Sequence, residues 1–195
     1  MHRFRLILLA GVLGGTSGVA LAAPPPDSPE ARQEAKQLDQ LPPVKPARAG
    51  HLDHSGRKQE GHASYYGPGF VQKKMADGRK MNPSAEAAAS KTLPLGSVAE
   101  VTNLRNGKST TVRIEDRGPY VDGRIIDLTP KAAGQIDMKH EGVAPVVVKP
   151  ITVPTPDGGV KLGAGAADAD EGKLADAVET TEKMAAPAAA SNTAR

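Results

Sequence analysis

Ser97-Val98-Ala99-Glu100-Val101-Thr102-Asn103, then Leu104-Arg105-Asn106-Gly107, then Ser109-Thr110-Thr111-Val112-Arg113-Ile114-Glu115-Asp116, reads as a β-hairpin. Asn106-Gly107 carries the hairpin signal, since a tight turn between strands needs positive φ and Asn-Gly adopts it readily. Along the second strand, side chains alternate faces, so Val112, Ile114 and Asp116 share one face while Arg113 and Glu115 share the other. The apolar face therefore ends in an acid. Arg117 follows, and Gly118-Pro119 breaks the strand. A carboxyl at the mouth of an apolar wall loses hydration, which favours its protonated form and suits it to acid–base work near neutral pH. A strand-end Asp also caps turns through its own backbone. The hairpin alone leaves both readings open.

Working outward, the same short-strand rhythm recurs at His62 to Tyr66, Arg124 to Leu128 and Val143 to Val153. Short strands punctuated by Gly and Pro turns argue for a mainly β fold closed into a small barrel, not a layered α/β sheet. One helix is expected, with Thr129 as its cap, Pro130 in first position and Lys131 to Ile136 as its body. Ala85 to Ala89 is ambiguous, because its alanines favour helix but the run is short.

The rest of the 195 residues reads as accessory. Residues 1–22 have the basic start, short apolar core and Ala20-Leu21-Ala22 ending of a secretory signal, so export to the periplasm is expected. The apolar run is too short and Gly-rich to remain as a membrane span. No cysteine is present, which excludes disulfides, thiolate metal sites and a lipid-attachment cysteine. Residues 23–60 are rich in Pro and charge and read as an extended, disordered linker. His51 and His54 lie there without companion ligands, so no metal or other cofactor is expected. Residues 61–153 form the one folded domain. Residues 154–195, rich in Ala and Gly, read as a disordered tail with one weak helix around Glu171 to Lys183. The formal net charge of +3 suits an anionic cell wall, and no aromatic–basic platform for nucleic acid is visible. A monomer is expected.

Five blocks within the folded part carry a resemblance. They are Gly61-x-Ala63-Ser64-Tyr65-Tyr66-Gly67, Leu93-Pro94-Leu95-Gly96, Val101-Thr102-Asn103-Leu104, Asp116-Arg117-Gly118-Pro119 and Arg124-Ile125-Ile126-Asp127-Leu128-Thr129. In that order and spacing they resemble the rare lipoprotein A family, whose six-stranded double-psi β-barrel is shared with expansins. The resemblance runs from Gly61 to about Ile151. It implies a peptidoglycan lytic transglycosylase acting on glycan strands, preferentially those without stem peptides, and forming 1,6-anhydro products.

The family attributes its chemistry to an Asp, a Glu and a His. The Asp matches Asp116. The Glu position, after Met75-Ala76-Asp77-Gly78, is Arg79, and the His position is Ser90. Arg is effectively always protonated and cannot act as a general acid. Asp116 is therefore expected as the acid/base, because the substrate's own 6-hydroxyl is the nucleophile and one group can serve both proton transfers. Asp77 and Glu86 stand near enough in sequence to act as replacement acids, while Glu115 is rejected because strand alternation turns it away. Asp127 is a second candidate, since it matches an essential Asp of expansin-like barrels; its alternative is a structural hydrogen bond near Thr129. Tyr65, Tyr66 and Tyr120 are the sugar-stacking candidates. Arg117 is expected to hold either Asp116 or a substrate carboxylate, and Arg79 to bind substrate. Arg79 and Ser90 also favour a competing reading, a non-cleaving wall-binding or wall-loosening module.

Overall fold

Val101, Val112, Ile114, Ile126, Leu128, Val146 and Val148, the apolar positions of the expected strands, are buried together in one cluster. Burial of such a side chain contributes about 1.5–3 kcal/mol, so this cluster supplies the main driving force for the fold. The computed structural model describes residues 51–190, with side chains through 185. The signal segment and most of the Pro-rich linker lie outside the described residues.

Among the described residues seven strands form the sheet: β1 (Gln59–Tyr65), β2 (Ala87–Ser90), β3 (Val98–Asn103), β4 (Ser109–Asp116), β5 (Arg124–Leu128), β6 (Ala144–Pro154) and β7 (Val160–Leu162). Their order is β1-β5-β2-β4-β3-β6-β7, and β6 also pairs with β1. That extra pairing closes six strands into a barrel and leaves β7 as a flap on the edge of β6. β1 runs parallel to β5 and β2 parallel to β4, while the other pairings are antiparallel. The six-stranded double-psi barrel expected from the resemblance is thus the fold. The chain continues from β5 into helix α1 (Pro130–Gln135), whose Ala132 and Ala133 are buried. Thr129 does not cap α1 with its side chain; its hydroxyl instead donates to the Ala85 carbonyl at 2.5 Å.

The ambiguous alanine run becomes β2. All four of its residues are buried, with β5 on one side and β4 on the other. Small side chains fit a crowded central strand, and tertiary pairing overrides the helical preference of alanine.

Two boundaries differ from the sequence expectation. β1 begins at Gln59, and residues just before it are held to the barrel rather than extended: the Asp53 amide donates to Thr92 O at 2.8 Å and His54 Nδ1 to Pro154 O at 2.7 Å. The second difference lies beyond Thr155, where the described chain is ordered onto the barrel. After β7, the weak helix expected at 171–183 runs as α2 (Glu171–Ala190) and packs on β3 and β6. Leu174, Ala177, Thr181 and Ala185 recur at three- and four-residue spacing, which aligns them along one helical face. Ala177 packs with Val98 and Ile151. Thr152 donates to Ala177 O at 3.2 Å and Thr181 to Gly96 O at 3.1 Å, so both buried hydroxyls are satisfied. The tail's glycines serve close approach: a Cβ on Gly165 would lie 2.7 Å from Lys149 O. Composition suggested looseness because it shows the absence of large side chains but not the backbone contacts that absence permits.

Candidate active site

Asp116 ends β4 beside a break in the ladder. Ala88 pairs with Ile114 but the next residue, Ala89, pairs with Asp116, so β4 advances two residues while β2 advances one. Such a bulge re-aims the side chain that follows it. Val112 and Ile114 line the core, as strand parity requires, but Asp116 does not continue that wall. It meets Tyr66, which packs with Met75, Met81 and Ala89 in a separate cluster.

Three donors converge on the Asp116 carboxylate. The Tyr66 hydroxyl donates to Oδ2 at 2.9 Å, the Ala76 amide to Oδ1 at 2.8 Å and the Arg117 amide to Oδ1 at 2.9 Å. Burial, reinforced by the bond to Asp116 and by the nearby charges of Asp116, Asp127 and Glu115, pushes the Tyr66 phenol well above its ordinary range. Tyr66 therefore stays protonated and acts as a donor. Its ring lies 5.4 Å from that of Phe70, at a tilted angle.

Asp127 stands across β2 from Asp116. Ala89 pairs with Asp127 on β5 and with Asp116 on β4, so the two acids flank one alanine. Ser64, opposite Asp127 on β1, donates its hydroxyl to Asp127 Oδ1, and Arg124 Nη1 donates to Ser64 Oγ at 2.9 Å. Burial raises the Asp127 carboxyl above its ordinary range; Asp116 adds to that, while Ser64, Arg124 and Lys91 oppose it. Two carboxyls thus lie in one row, and burial pushes one of them toward its protonated form.

The other sequence candidates occupy several places. Arg117 directs its guanidinium away from its own neighbour, donating through Nη1 to Leu93 O at 2.6 Å and Ser90 O at 3.2 Å. Tyr120 follows the cis Gly118–Pro119 peptide and is 87% exposed. Tyr65, between Ser64 and Tyr66, makes neither of their bonds to the acids: its ring packs against the core and its hydroxyl donates to Lys139 O at 3.2 Å. Ser90 is buried, and its Oγ accepts from the Leu93 amide at 3.1 Å, which makes it a turn residue. Glu86 faces Gln135 and Lys131 on the surface. Asp77 and Glu115 are both bound by Arg79, and Glu115 also by Arg113.

A half-open cleft of about 1160 Å³ reaches Ala76 and Arg117, whose amides bind Asp116, but neither acid lines it. Ala76, Asp77, Arg79, Arg113 and Arg117 form its floor, and the β6–β7 turn and α2 form its far wall. The cleft has acids of its own in Asp77, Asp157 and Glu179, whereas Asp116 and Asp127 are tied into the hydrogen bonds described above.

Ser64, Arg124 and the Ala76 amide are site groups that residue-by-residue reading did not single out. Parity along β1 puts Ser64 and Tyr66 on one face and was a usable signal. The Ala76 amide had none, since a backbone donor carries no side-chain signature.

Residues 58–148 match the family described as lytic transglycolase. A Campylobacter jejuni protein named endolytic peptidoglycan transglycosylase RlpA is 53% identical over 91 residues, which cover 47% of this chain and 33% of that protein. Its Helicobacter pylori (strain J99) namesake is 52% identical over 91 residues, 47% of this chain and 29% of that one. The Vibrio cholerae namesake is 46% identical over 101 residues, 52% of this chain and 38% of that one. The chain thus spans about a third of the length of these curated relatives. Among solved structures, Streptomyces papain inhibitor superposes with a TM-score of 0.40 at 24% identity, covering 49% of this chain and 96% of that one. Clavibacter michiganensis expansin gives 0.39 at 17%, covering 50% and 52%.

Proposed function

From a barrel that belongs, over residues 58–148, to the lytic transglycolase family, we propose that this protein cleaves the glycan strands of peptidoglycan by lytic transglycosylation. The observation that carries the reading is the acid pair on either side of Ala89. In the proposed step the sugar's 6-hydroxyl oxygen bonds to the anomeric carbon while the glycosidic C–O bond breaks. Asp116, fixed as an acceptor by three donors, takes the 6-hydroxyl proton. Asp127, whose carboxyl burial pushes toward its protonated form, gives a proton to the departing oxygen. No water is consumed, the product end is a 1,6-anhydro ring, and the two acids re-equilibrate their protons through solvent. Tyr66 orients Asp116, while exposed Tyr120 and Phe70 offer faces for sugar rings.

The test is incubation of the full chain with glycan strands, with and without stem peptides, followed by mass spectrometry. Products ending in 1,6-anhydro sugars, lost in Asp116→Asn, are expected. Strand binding without such products would replace the reading with the non-cleaving wall module. That second reading draws on Arg79 and Ser90, neither of which brings an acid or an imidazole to Asp116. Export to the periplasm belongs to the same proposal, and cell fractionation tests it.

A further inference from the structure

We propose that Arg79 is a positioning residue for Asp116, acting through the Met75–Gly78 turn. The inference rests on the reading of Asp116 as the acid/base. The path is short and each link is a hydrogen bond or an ion pair. Arg79 closes the turn on itself: its carbonyl accepts from the Met75 amide at 2.8 Å, and its own amide donates to Asp77 Oδ1 at 2.9 Å. Its side chain then grips two carboxylates, with Nε 2.7 Å from Asp77 Oδ2 and Nη2 3.1 Å from Glu115 Oε1. Asp77 is in the turn and Glu115 is in β4, one residue before Asp116. The Asp77 amide adds a bond to Glu115 O at 3.0 Å. Arg79 thus ties the turn to the strand that carries the acid. Between the tied points sits Ala76, whose amide donates to Asp116.

Charge makes the clamp specific to a cation. The Asp77 and Glu115 side chains are each only 4% exposed. Arg113 also binds Glu115, but among these bonds Asp77 has Arg79 as its cationic partner. A carboxylate at position 79 would place a third negative charge against the two acids and repel the turn from β4. Arg79 therefore does not mark a vacated acid in this chain. Its flat, forked guanidinium reaches two carboxylates at once, which a point charge does less well. A further contact joins the clamp to the C-terminal helix, since Nη2 lies 3.4 Å from Met184 Sδ.

The test compares wild type with Arg79→Gln, Arg79→Glu and Arg79→Lys, measuring amide hydrogen exchange at Ala76 by NMR and turnover on glycan strands. In Arg79→Gln, loss of a charge-assisted network should speed Ala76 exchange and lower kcat, each by about tenfold, with KM within about twofold. Arg79→Glu should be worse on both measures. Arg79→Lys should recover part of each loss, and because it keeps the charge it decides the matter if the other two unfold. An Ala76 amide unchanged in folded Arg79→Gln, or an Arg79→Glu enzyme faster than wild type, overturns the proposal. If wild type gives no anhydro product, the lytic reading falls, while exchange at Ala76 still decides whether Arg79 holds the turn.

Discussion

Asp116 and Asp127 flank the same alanine, yet they are held in opposite ways. The frame of Asp127 is the sheet: Ser64 is its register partner on β1, and Arg124, which steadies Ser64, lies on the same strand as Asp127. The frame of Asp116 lies mostly in turns. Its donors come from Tyr66 just past the end of β1, from Ala76 in the Met75–Gly78 turn and from the amide that follows it. An acid held by paired strands moves only if the barrel moves. An acid held by turns can be adjusted by changing those turns, so the two carboxyls of one row can evolve separately. At Asp127 burial outweighs the Ser64 bond, whereas three oriented donors hold Asp116.

The sharpest way to break the comparison is to neutralise each acid. Asp116→Asn keeps the shape but removes a proton acceptor, and turnover should fall about 10²–10⁴-fold. Asp127→Asn should fall toward the lower end of that range, because the 6-hydroxyl can still lose its proton to Asp116. Equal losses would mean that the two acids work as one coupled pair and not in separate roles. Next in size is Tyr66→Phe. It keeps the ring beside Phe70 and Met81 but deletes the donor to Asp116 Oδ2. A hydrogen bond to a charged group contributes about 1.5–3 kcal/mol, so turnover should drop roughly tenfold or more. Unchanged turnover would make the Ala76 and Arg117 amides sufficient on their own.

The strands that carry the two acids were legible in the sequence, and most of the groups that hold the acids were not. Ser109 to Asp116 and Arg124 to Leu128 match β4 and β5 end to end, because alternating Val, Ile and Leu require a two-residue period. Parity failed at Asp116 itself, where the bulge opposite Ala88 and Ala89 shifts the register. A bulge in a strand without glycine leaves little trace in composition. The Arg79 clamp was hidden for another reason: it joins residues 77, 79, 113 and 115 across two segments, and only folding brings them together. Helix α2 was foreseen as a weak local helix, but its packing depends on a stripe of small residues, Ala177 and Thr181, that has low hydrophobicity until a partner surface is known.

The smallest expected effect separates burial from hydrogen bonding at Asp127 and is read in stability. Burial raises this carboxyl above its ordinary value of 3.8, despite the opposing Ser64 bond and Arg124 charge. A raised acid binds its proton more tightly when folded than when unfolded. Its stabilising contribution is therefore present below the unfolded value and is lost as pH rises through the folded one. Above that window the folded barrel carries a buried negative charge that the unfolded chain hydrates freely. Asp127→Asn removes this charge but keeps an oxygen for the Ser64 hydroxyl. The Tm of the variant minus that of wild type should therefore increase as pH rises from the ordinary carboxylate value through the raised one, and then level off. A difference that shrinks with rising pH would show that Ser64 and Arg124 favour the ionised form more than burial opposes it. Asp127 would then resemble Asp116 as a held acceptor, and the contrast between the two acids would reduce to which groups do the holding.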